Sequence, residues 1–336
     1  MVEAGRSVEV AQVGDAALGP LSMLPGIWKN TEALHGFGFN MIALPFAAGP
    51  NGYRLLMNQY DEELHFSVAD KGVPNRGVGP GPVETDQTIV ALDYDQKIVQ
   101  LAAEDFPQSG LAPKANGHAI HKEPGLWLYM TNQNTDGINI ARLGSVPHGD
   151  SLLALGTANP SPNPVIPNVN GVVLGAGVNP AVQDLEAAYF APYKHFFDTP
   201  FTGSVPIAGY DGFEPVDPTK LLRHALTAAL PGKVKKTMQL HVDSTLDHAG
   251  VRNIPFVVRQ ANAAAMNATF NTYEVEDAET GKTRYFLQYT QTVILDFIGR
   301  PDGHPGHARW PHVSINTLER VADADPDAAK ARMVAM

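Results

Sequence analysis

The chain has 336 residues, of which 44% are hydrophobic and 18% charged, a composition typical of folded proteins and unlike disordered or fibrous ones. Its 24 lysines and arginines against 35 aspartates and glutamates give a net charge of −11, which disfavours nucleic acids as partners because their phosphate backbones are also negative. The absence of cysteine excludes disulfides, thiolate catalysis, iron–sulfur clusters and cysteine-ligated zinc or haem.

The first part of the chain predicts antiparallel strands. Residues 1–22 have no strong period and are interpreted as a weakly structured lead-in. From Met23 onwards, short aromatic and apolar runs are separated by Gly, Pro and Asn, which is the spacing of antiparallel strands. These runs predict the first part of a β-barrel over 23–156 and a second part over 236–321. We therefore expect an all-β, up-and-down antiparallel barrel of about eight to ten strands, closed so that no strand edge is exposed.

The segment 157–235 differs from the strands on either side of it. It is rich in Pro, Gly and Asn, and Asp217 followed by Pro218 predicts the start of a helix over Thr219–Leu230. We interpret the segment as an inserted lid of loops and one helix that covers an end or a side of the barrel. The tail 322–336 is rich in Ala and Asp, and a short surface helix or a frayed end is expected there.

Neither a membrane span nor a secretory signal is predicted. No stretch approaches the roughly 18 consecutive apolar residues that a membrane-spanning helix needs. Residues 1–20 lack the basic and then apolar regions of a secretory signal. We therefore expect a cytoplasmic protein without a membrane partner, and a homodimer is left open.

Four groups of short motifs occur in a characteristic order. They are Leu24-Pro25-Gly26-Ile27-Trp28 with Gly36-Phe37-Gly38; Tyr60-Asp61-Glu62-Glu63-Leu64-His65-Phe66; Leu92-Asp93-Tyr94-Asp95-Gln96 with His121-Lys122-Glu123-Pro124-Gly125-Leu126-Trp127; and Pro311-His312 through Leu318-Glu319-Arg320. Together they resemble the nitrobindin-type haem-binding barrels, which belong with the calycins and are similar to fatty-acid-binding proteins. The resemblance covers residues 24–155 and 235–321.

The resemblance implies a b-type haem as cofactor. It implies that His312 is the proximal ligand of the haem iron. It also implies a haem pocket formed with Trp310, Trp28, Gly36 and Gly38. The implied activity is to act on, or to sense, small oxidant or nitrogen species or a small organic substrate, in the manner of a peroxidase, an isomerase or a dehydratase. Whether the protein is an enzyme, as a haem-dependent oxidoreductase, isomerase or lyase, is left open.

The residues themselves allow more than one role for each histidine. His312 follows Pro311, which constrains the backbone, so it is interpreted either as a metal ligand at the start of a strand or as a histidine at the barrel rim. His121 and Glu123 are two apart and share a strand face, which fits a proton relay or a structural pair. His35 is interpreted as a group above the haem iron or as a surface histidine. His35, His121 and Glu123 are the weak candidates for catalytic residues.

Two other functions remain open. A barrel without haem would carry an apolar or carboxylate small molecule in its interior. Alternatively, 157–235 would be the surface that binds a partner protein, with the barrel as its scaffold. His304 and His307 precede His312 at metal-like spacing, but they lie in a Pro/Gly-rich segment that favours a solvated loop.

Overall fold

The computed structural model describes residues 5–75, 87–112, 117–132, 137–147, 149–175 and 185–334, which are mostly antiparallel strand. The strands are β1 (Ser7–Val10), β2 (Gly26–Lys29), β3 (Gly38–Pro45), β4 (Tyr53–Phe66), β5 (Val68–Asn75), β6 (Gln87–Phe106), β7 (Ala119–Met130), β8 (Ile140–Ser145), β9 (Asp150–Ser161), β10 (Gly232–Asp243), β11 (Gly250–Asn253), β12 (Asn262–Asp277), β13 (Thr283–Gly299) and β14 (His307–Ala322). The helices are α1 (Ala191–Asp198), α2 (Lys220–Ala228), α3 (Pro255–Val258) and α4 (Pro326–Val334).

The strands close into a ring. Neighbours pair in the order β4, β6, β7, β8, β9, β10, β12, β13 and β14, and each of these pairs is antiparallel. The short strands β2 and β3 lie end to end between β14 and β4 and complete the ring. The predicted all-β, up-and-down barrel is confirmed, and closure leaves its main strands without a free edge.

Residues 5–22 form defined structure, contrary to the weakly structured lead-in predicted for 1–22, of which residues 1–4 lie outside the described residues. Residues Ser7–Val10 form β1, which pairs with β5, and a 3₁₀ turn follows at Ala16–Leu21. Leu18 and Leu21 in this turn are fully buried and pack into one end of the barrel. The turn contacts β5, β6, β7 and β9, so it plugs that end.

The segment between β9 and β10 covers a side of the barrel. On β3, β4 and β14, residues that face outwards alternate with those that line the interior. The outward set packs against the inserted segment in one apolar cluster that includes Phe39, Met41, Leu55, Met57, Val313, Ile315, Phe196, Phe213 and Leu221. Within the described residues, none of the insertion lines the interior cavity.

Several predicted boundaries differ from those observed. Strand β9 extends to Ser161 and β10 begins at Gly232, so the insertion is shorter than the predicted 157–235, and it contains α1 besides the one helix predicted. The insertion's helix α2 begins at Lys220 with Thr219 at its N-cap, and Asp217 pairs with Arg223 instead of capping the helix. Strand β14 begins at His307, so His312 lies inside a strand and does not start it. In the part of the chain that the structure describes, no helix has the length and apolar character to cross a membrane.

Candidate functional site

The interior of the barrel contains a cavity divided into two compartments of about 230 Å³ and 210 Å³. Ile42, His121, Gln291 and His312 line both compartments. They come from β3, β7, β13 and β14, so the compartments meet where separate strands of the ring face one another. The interior beyond them, towards the plugged end, is filled by a second apolar cluster that contains Trp28, Trp127 and Phe270.

The larger compartment is lined by neutral polar side chains together with Ile42, Leu56, Ile98 and Ile120. Its polar lining consists of Asn40, Asn58, Gln96, Gln100, Tyr289 and Ser314 besides the shared residues. Gln100 donates through its Nε2 to Asn58, which in turn donates through Nδ2 to Asn40 Oδ1 at 2.7 Å. The Oε1 atom of Gln100 is buried and accepts no hydrogen bond. This compartment, the polar compartment, therefore offers uncharged hydrogen-bonding groups.

The smaller compartment is mainly apolar. Its apolar lining consists of Leu44, Val146, Leu152, Val251, Val257, Ala261, Met266, Val293 and Leu295. Helix α3 contributes Val257, and the turn between β8 and β9 contributes Val146 and Gly149. Glu123 and Asp150 add two carboxylates to this apolar compartment.

Strand alternation brings His121 and Glu123 into the interior. Along β7, His121, Glu123 and Trp127 share the inward face, whereas Lys122 and Pro124 are exposed. The Nε2 atom of His121 is 3.4 Å from Glu123 Oε2, which is an ion-pair distance but is too long for a well-formed hydrogen bond. The carboxylate Oε2 accordingly accepts no hydrogen bond.

Arg142 binds the other oxygen of Glu123. Its Nη2 donates to Glu123 Oε1 at 2.8 Å, its Nη1 donates to Gln291 Oε1 at 2.6 Å, and the hydroxyl of Tyr94 also donates to Glu123 Oε1. Burial disfavours the ionised form of Glu123. The charge of Arg142 and the hydrogen-bonding contacts outweigh burial and lower the pKa of Glu123 to about 2. Glu123 is therefore a buried anion at neutral pH.

Asp150 lies beside this ion pair at the start of β9. Its Oδ1 atom is buried without a hydrogen-bond partner. Burial, and then the negative charge of Glu123, raise the pKa of Asp150 above its ordinary value of 3.8. The two carboxyl groups are thus close enough to repel each other across the apolar compartment.

Glu62 is a second buried carboxyl in the barrel interior. It accepts hydrogen bonds from Tyr289 Oη at 2.6 Å, Asn316 Nδ2 at 3.0 Å and Gln96 Nε2 at 2.7 Å. Burial raises the pKa of Glu62, and these bonds, together with the nearby His121, only partly offset that increase. Both oxygens of Glu62 are hydrogen-bonded, so this group supports the wall of the polar compartment.

The structure brings together three of the residues predicted for the site and separates the others. His312, His121 and Glu123 line the apolar compartment, whereas none of the remaining five lines either compartment. Trp310 is fully buried against Tyr53 and Phe297, and its indole donates to the Phe297 carbonyl at 2.8 Å.

The other four predicted residues lie closer to the seam between β2 and β4. Trp28 donates to the Leu24 carbonyl at 2.7 Å inside the filled end of the barrel. His35 Nδ1 lies 2.5 Å from Asp61 Oδ2, and the Gly36 amide donates to Asp61 Oδ1 at 2.8 Å, so these two residues lie in a turn in which His35 is exposed and Gly36 is buried. At Gly38 a Cβ atom would lie 2.4 Å from the ring of Tyr60, which explains the glycine by side-chain packing.

Several residues of the site carry no local sequence signal. Arg142 lies between Ala141 and Leu143 in an ordinary strand pattern, where a charged residue usually marks the solvent face. Asp150 follows a turn, where aspartate is common for backbone reasons. Alternation along β8 puts the side chain of Arg142 on the opposite face of the strand from Ala141 and Leu143. Its pairing with Glu123 can be predicted only when the order of the strands is known.

The lining meets one requirement of a haem and misses another. The imidazole of His312 borders an apolar compartment, as an axial ligand requires. A drug-sized ligand occupies a cavity on the order of 300–1,000 Å³. Each compartment alone is smaller than this, but the two share four lining residues and together fall within the range. In the described residues, neither lining includes a lysine or arginine that would pair with propionates. Haem binding through His312 stays a prediction of the resemblance.

Comparison with known proteins assigns this chain to no family. The sequence matches no protein-family model, and no match is found among curated proteins. Among the described residues, no group of three or more His, Asp or Glu side chains is placed to hold a metal ion.

Proposed function

We propose that the protein binds one small amphiphilic organic molecule inside the barrel. The observation that supports this most is a cavity lined mainly by aliphatic side chains, with neutral amides and hydroxyls concentrated in one of its two compartments and two carboxyl groups in the other. A ligand with an apolar body and a polar group matches both linings at once. The protein would therefore be a carrier, or an enzyme that acts on such a molecule.

The apolar compartment supplies most of the binding free energy in this proposal. Each methylene group transferred from water to an apolar environment contributes about 0.8 kcal/mol. The aliphatic side chains of Leu44, Leu152 and Val293 border this space and would remove several such groups from water. Polar groups in a ligand site mainly fix orientation and specificity, a role that the amides of the polar compartment and the carboxyl groups of Glu123 and Asp150 would share.

The position of the cavity also supports binding in preference to a purely structural role. The plugged half of the barrel is filled by tightly packed aromatic and aliphatic side chains, including Trp28, Phe66 and Trp127. Protein interiors are normally close-packed, with few voids larger than a water molecule. A cavity of this size in the other half of the same barrel thus departs from the normal packing of an interior.

A neutral fluorescent probe tests the proposal. N-phenyl-1-naphthylamine, whose emission rises in apolar surroundings, should bind the purified protein with saturable, single-site behaviour. Val257 lines the apolar compartment, whereas its neighbour Val258 is 50% exposed. Val257→Trp should fill the compartment and weaken binding at least about tenfold, and Val258→Trp, which places the same side chain on the same helix, should leave binding unchanged.

Two results would contradict the proposal. One is a lack of saturable fluorescence with the wild-type protein. The other is an equal effect of Val257→Trp and Val258→Trp, which would place the probe on the surface around α3. Circular dichroism of both variants checks that the barrel is intact.

A further inference from the structure

The unpartnered polar atoms that border the cavity are all hydrogen-bond acceptors. Among the described residues that line it, they are Gln100 Oε1, Glu123 Oε2 and Asp150 Oδ1. Glu123 is 0% exposed and Gln100 is 1% exposed, whereas Asp150 is half-buried and its Oδ1 atom is buried. A buried acceptor without a donor costs free energy, so the site calls for an occupant that supplies N–H or O–H groups.

The charges around the apolar compartment have the same implication. Arg142 neutralises Glu123 but lines neither compartment, and its three nitrogens are engaged with Glu123, Tyr94 and Gln291. Asp150 adds a further carboxyl beside this pair. Neither compartment is lined by a lysine or an arginine in the described residues. The described lining thus contains two carboxyl groups and no permanent cation, which favours a positive occupant.

We propose that the polar group of the ligand is an amine, bound as an ammonium between Glu123 and Asp150. This inference rests on the proposed function and adds the chemical class of the ligand. An ammonium carries a full positive charge and three N–H donors, which matches the charge and the unpartnered acceptors of these two carboxyl groups. Its alkyl or aryl body would lie among Leu152, Val251 and Val293. A carboxylate ligand would be repelled by the same groups.

Displacement of the fluorescent probe by a matched series tests the head group. Octylamine, octanol and octanoate share one apolar body and differ in charge. The titration is made at pH 8, above the ordinary histidine pKa of about 6.5 and below that of an alkylamine. Octylamine should displace the probe at a concentration at least about tenfold lower than octanol, and octanoate should be the weakest.

Asp150→Asn removes one charge and keeps the shape of the side chain. In this variant the preference for octylamine over octanol should fall to within about threefold, with the octanol value unchanged. Asp247→Asn is the matched control, because Asp247 is exposed and does not line the cavity. This control should keep the preference and so separate a local contact from the loss of net charge.

If Asp150→Asn does not fold, the order in which octylamine, octanol and octanoate displace the probe from the wild-type protein still tests the inference. Octanol displacing the probe as well as octylamine would mean that water satisfies the three oxygens, and the amine assignment would be wrong while the binding site stands. Octanoate binding best, or a preference that survives Asp150→Asn, would likewise overturn the amine assignment. Failure of the probe itself to bind is a different result, and it overturns the proposed function.

Discussion

Arg142 and Glu123 form an ion pair inside the barrel, with Nη2 2.8 Å from Oε1 and both side chains almost completely buried. The guanidinium also lies over the rings of Tyr94, Trp127 and Phe270. It therefore links the filled half of the interior to the wall of the cavity. Removal of either partner leaves a buried charge without its counter-ion, which is costly.

Arg142→Met should destabilise the protein by about 3–5 kcal/mol, because Glu123 would remain buried and uncompensated. Urea denaturation followed by circular dichroism measures this loss. Arg223→Met is the matched control, since Arg223 pairs with Asp217 at the surface and an exposed pair contributes at most about 1 kcal/mol. If both substitutions lowered the unfolding free energy by a similar amount, the buried pair would contribute no more to stability than the surface pair.

The stability of the wild type should depend on Glu123 in acid. Its pKa is about 2 in the folded protein against an ordinary 4.5, so the ionised form stabilises the fold above pH 4.5. That contribution, on the order of 3 kcal/mol, is lost as the pH falls from 4.5 towards 2. The difference in unfolding free energy between wild type and Glu123→Gln should therefore shrink over this range. A difference that stays constant with pH would contradict the lowered pKa.

Glu62 should show the opposite dependence on pH. Its pKa is raised in the folded protein, so its ionisation favours the unfolded state, and wild-type stability falls as the pH rises from 4.5 through the raised value. Glu62→Gln removes this titration. The stability of the variant relative to wild type should therefore increase with pH, as urea midpoints between pH 4.5 and 8 would record. A relative stability that decreases over this range would contradict the assignment.

Gly38→Ala should destabilise the barrel by about 1–3 kcal/mol, because the added Cβ would clash with the ring and carbonyl of Tyr60. Thermal unfolding measures the change. Gly250→Ala is the control: a Cβ there meets nothing within 4 Å, so an effect within about 0.5 kcal/mol is expected. Equal effects would show that the close approach at Gly38 relaxes without cost.

Haemin titration tests the resemblance directly. Because the described lining offers no lysine or arginine to the propionates, we expect only the broad absorbance of free haemin. A sharp Soret band that disappears in His312→Ala but persists in His304→Ala, where the histidine lies in a surface loop, would establish His312 as the axial ligand. That result would replace the amphiphile proposal with the haem prediction.

Much of the fold follows from local sequence patterns. Alternation along β7 puts His121, Glu123 and Trp127 on one face, and the size of Trp127 indicates that this face is buried, as the structure confirms. The N-terminal plug was not predictable in this way, since Leu18 and Leu21 lie in a short 3₁₀ turn without a periodic pattern. Their burial depends on contacts with distant strands.

The site was predictable only in part for the same reason. His312 and His121 are rare residue types in recognisable strands, so they attract attention in the sequence. Asp150 and Arg142 acquire their environments only when β7, β8 and β9 pair in register. Desolvation and ion pairing across strands are properties of the assembled sheet, and a single strand does not encode them.

The plug at Leu18 and Leu21 has a consequence for exchange. A barrel that is filled at one end has no passage through that end. A ligand bound inside it, as proposed, would therefore enter and leave by the same route. One ligand would then have to dissociate before the next could bind. Transfer to an acceptor would be limited by the rate of emptying, whatever the affinity of the acceptor.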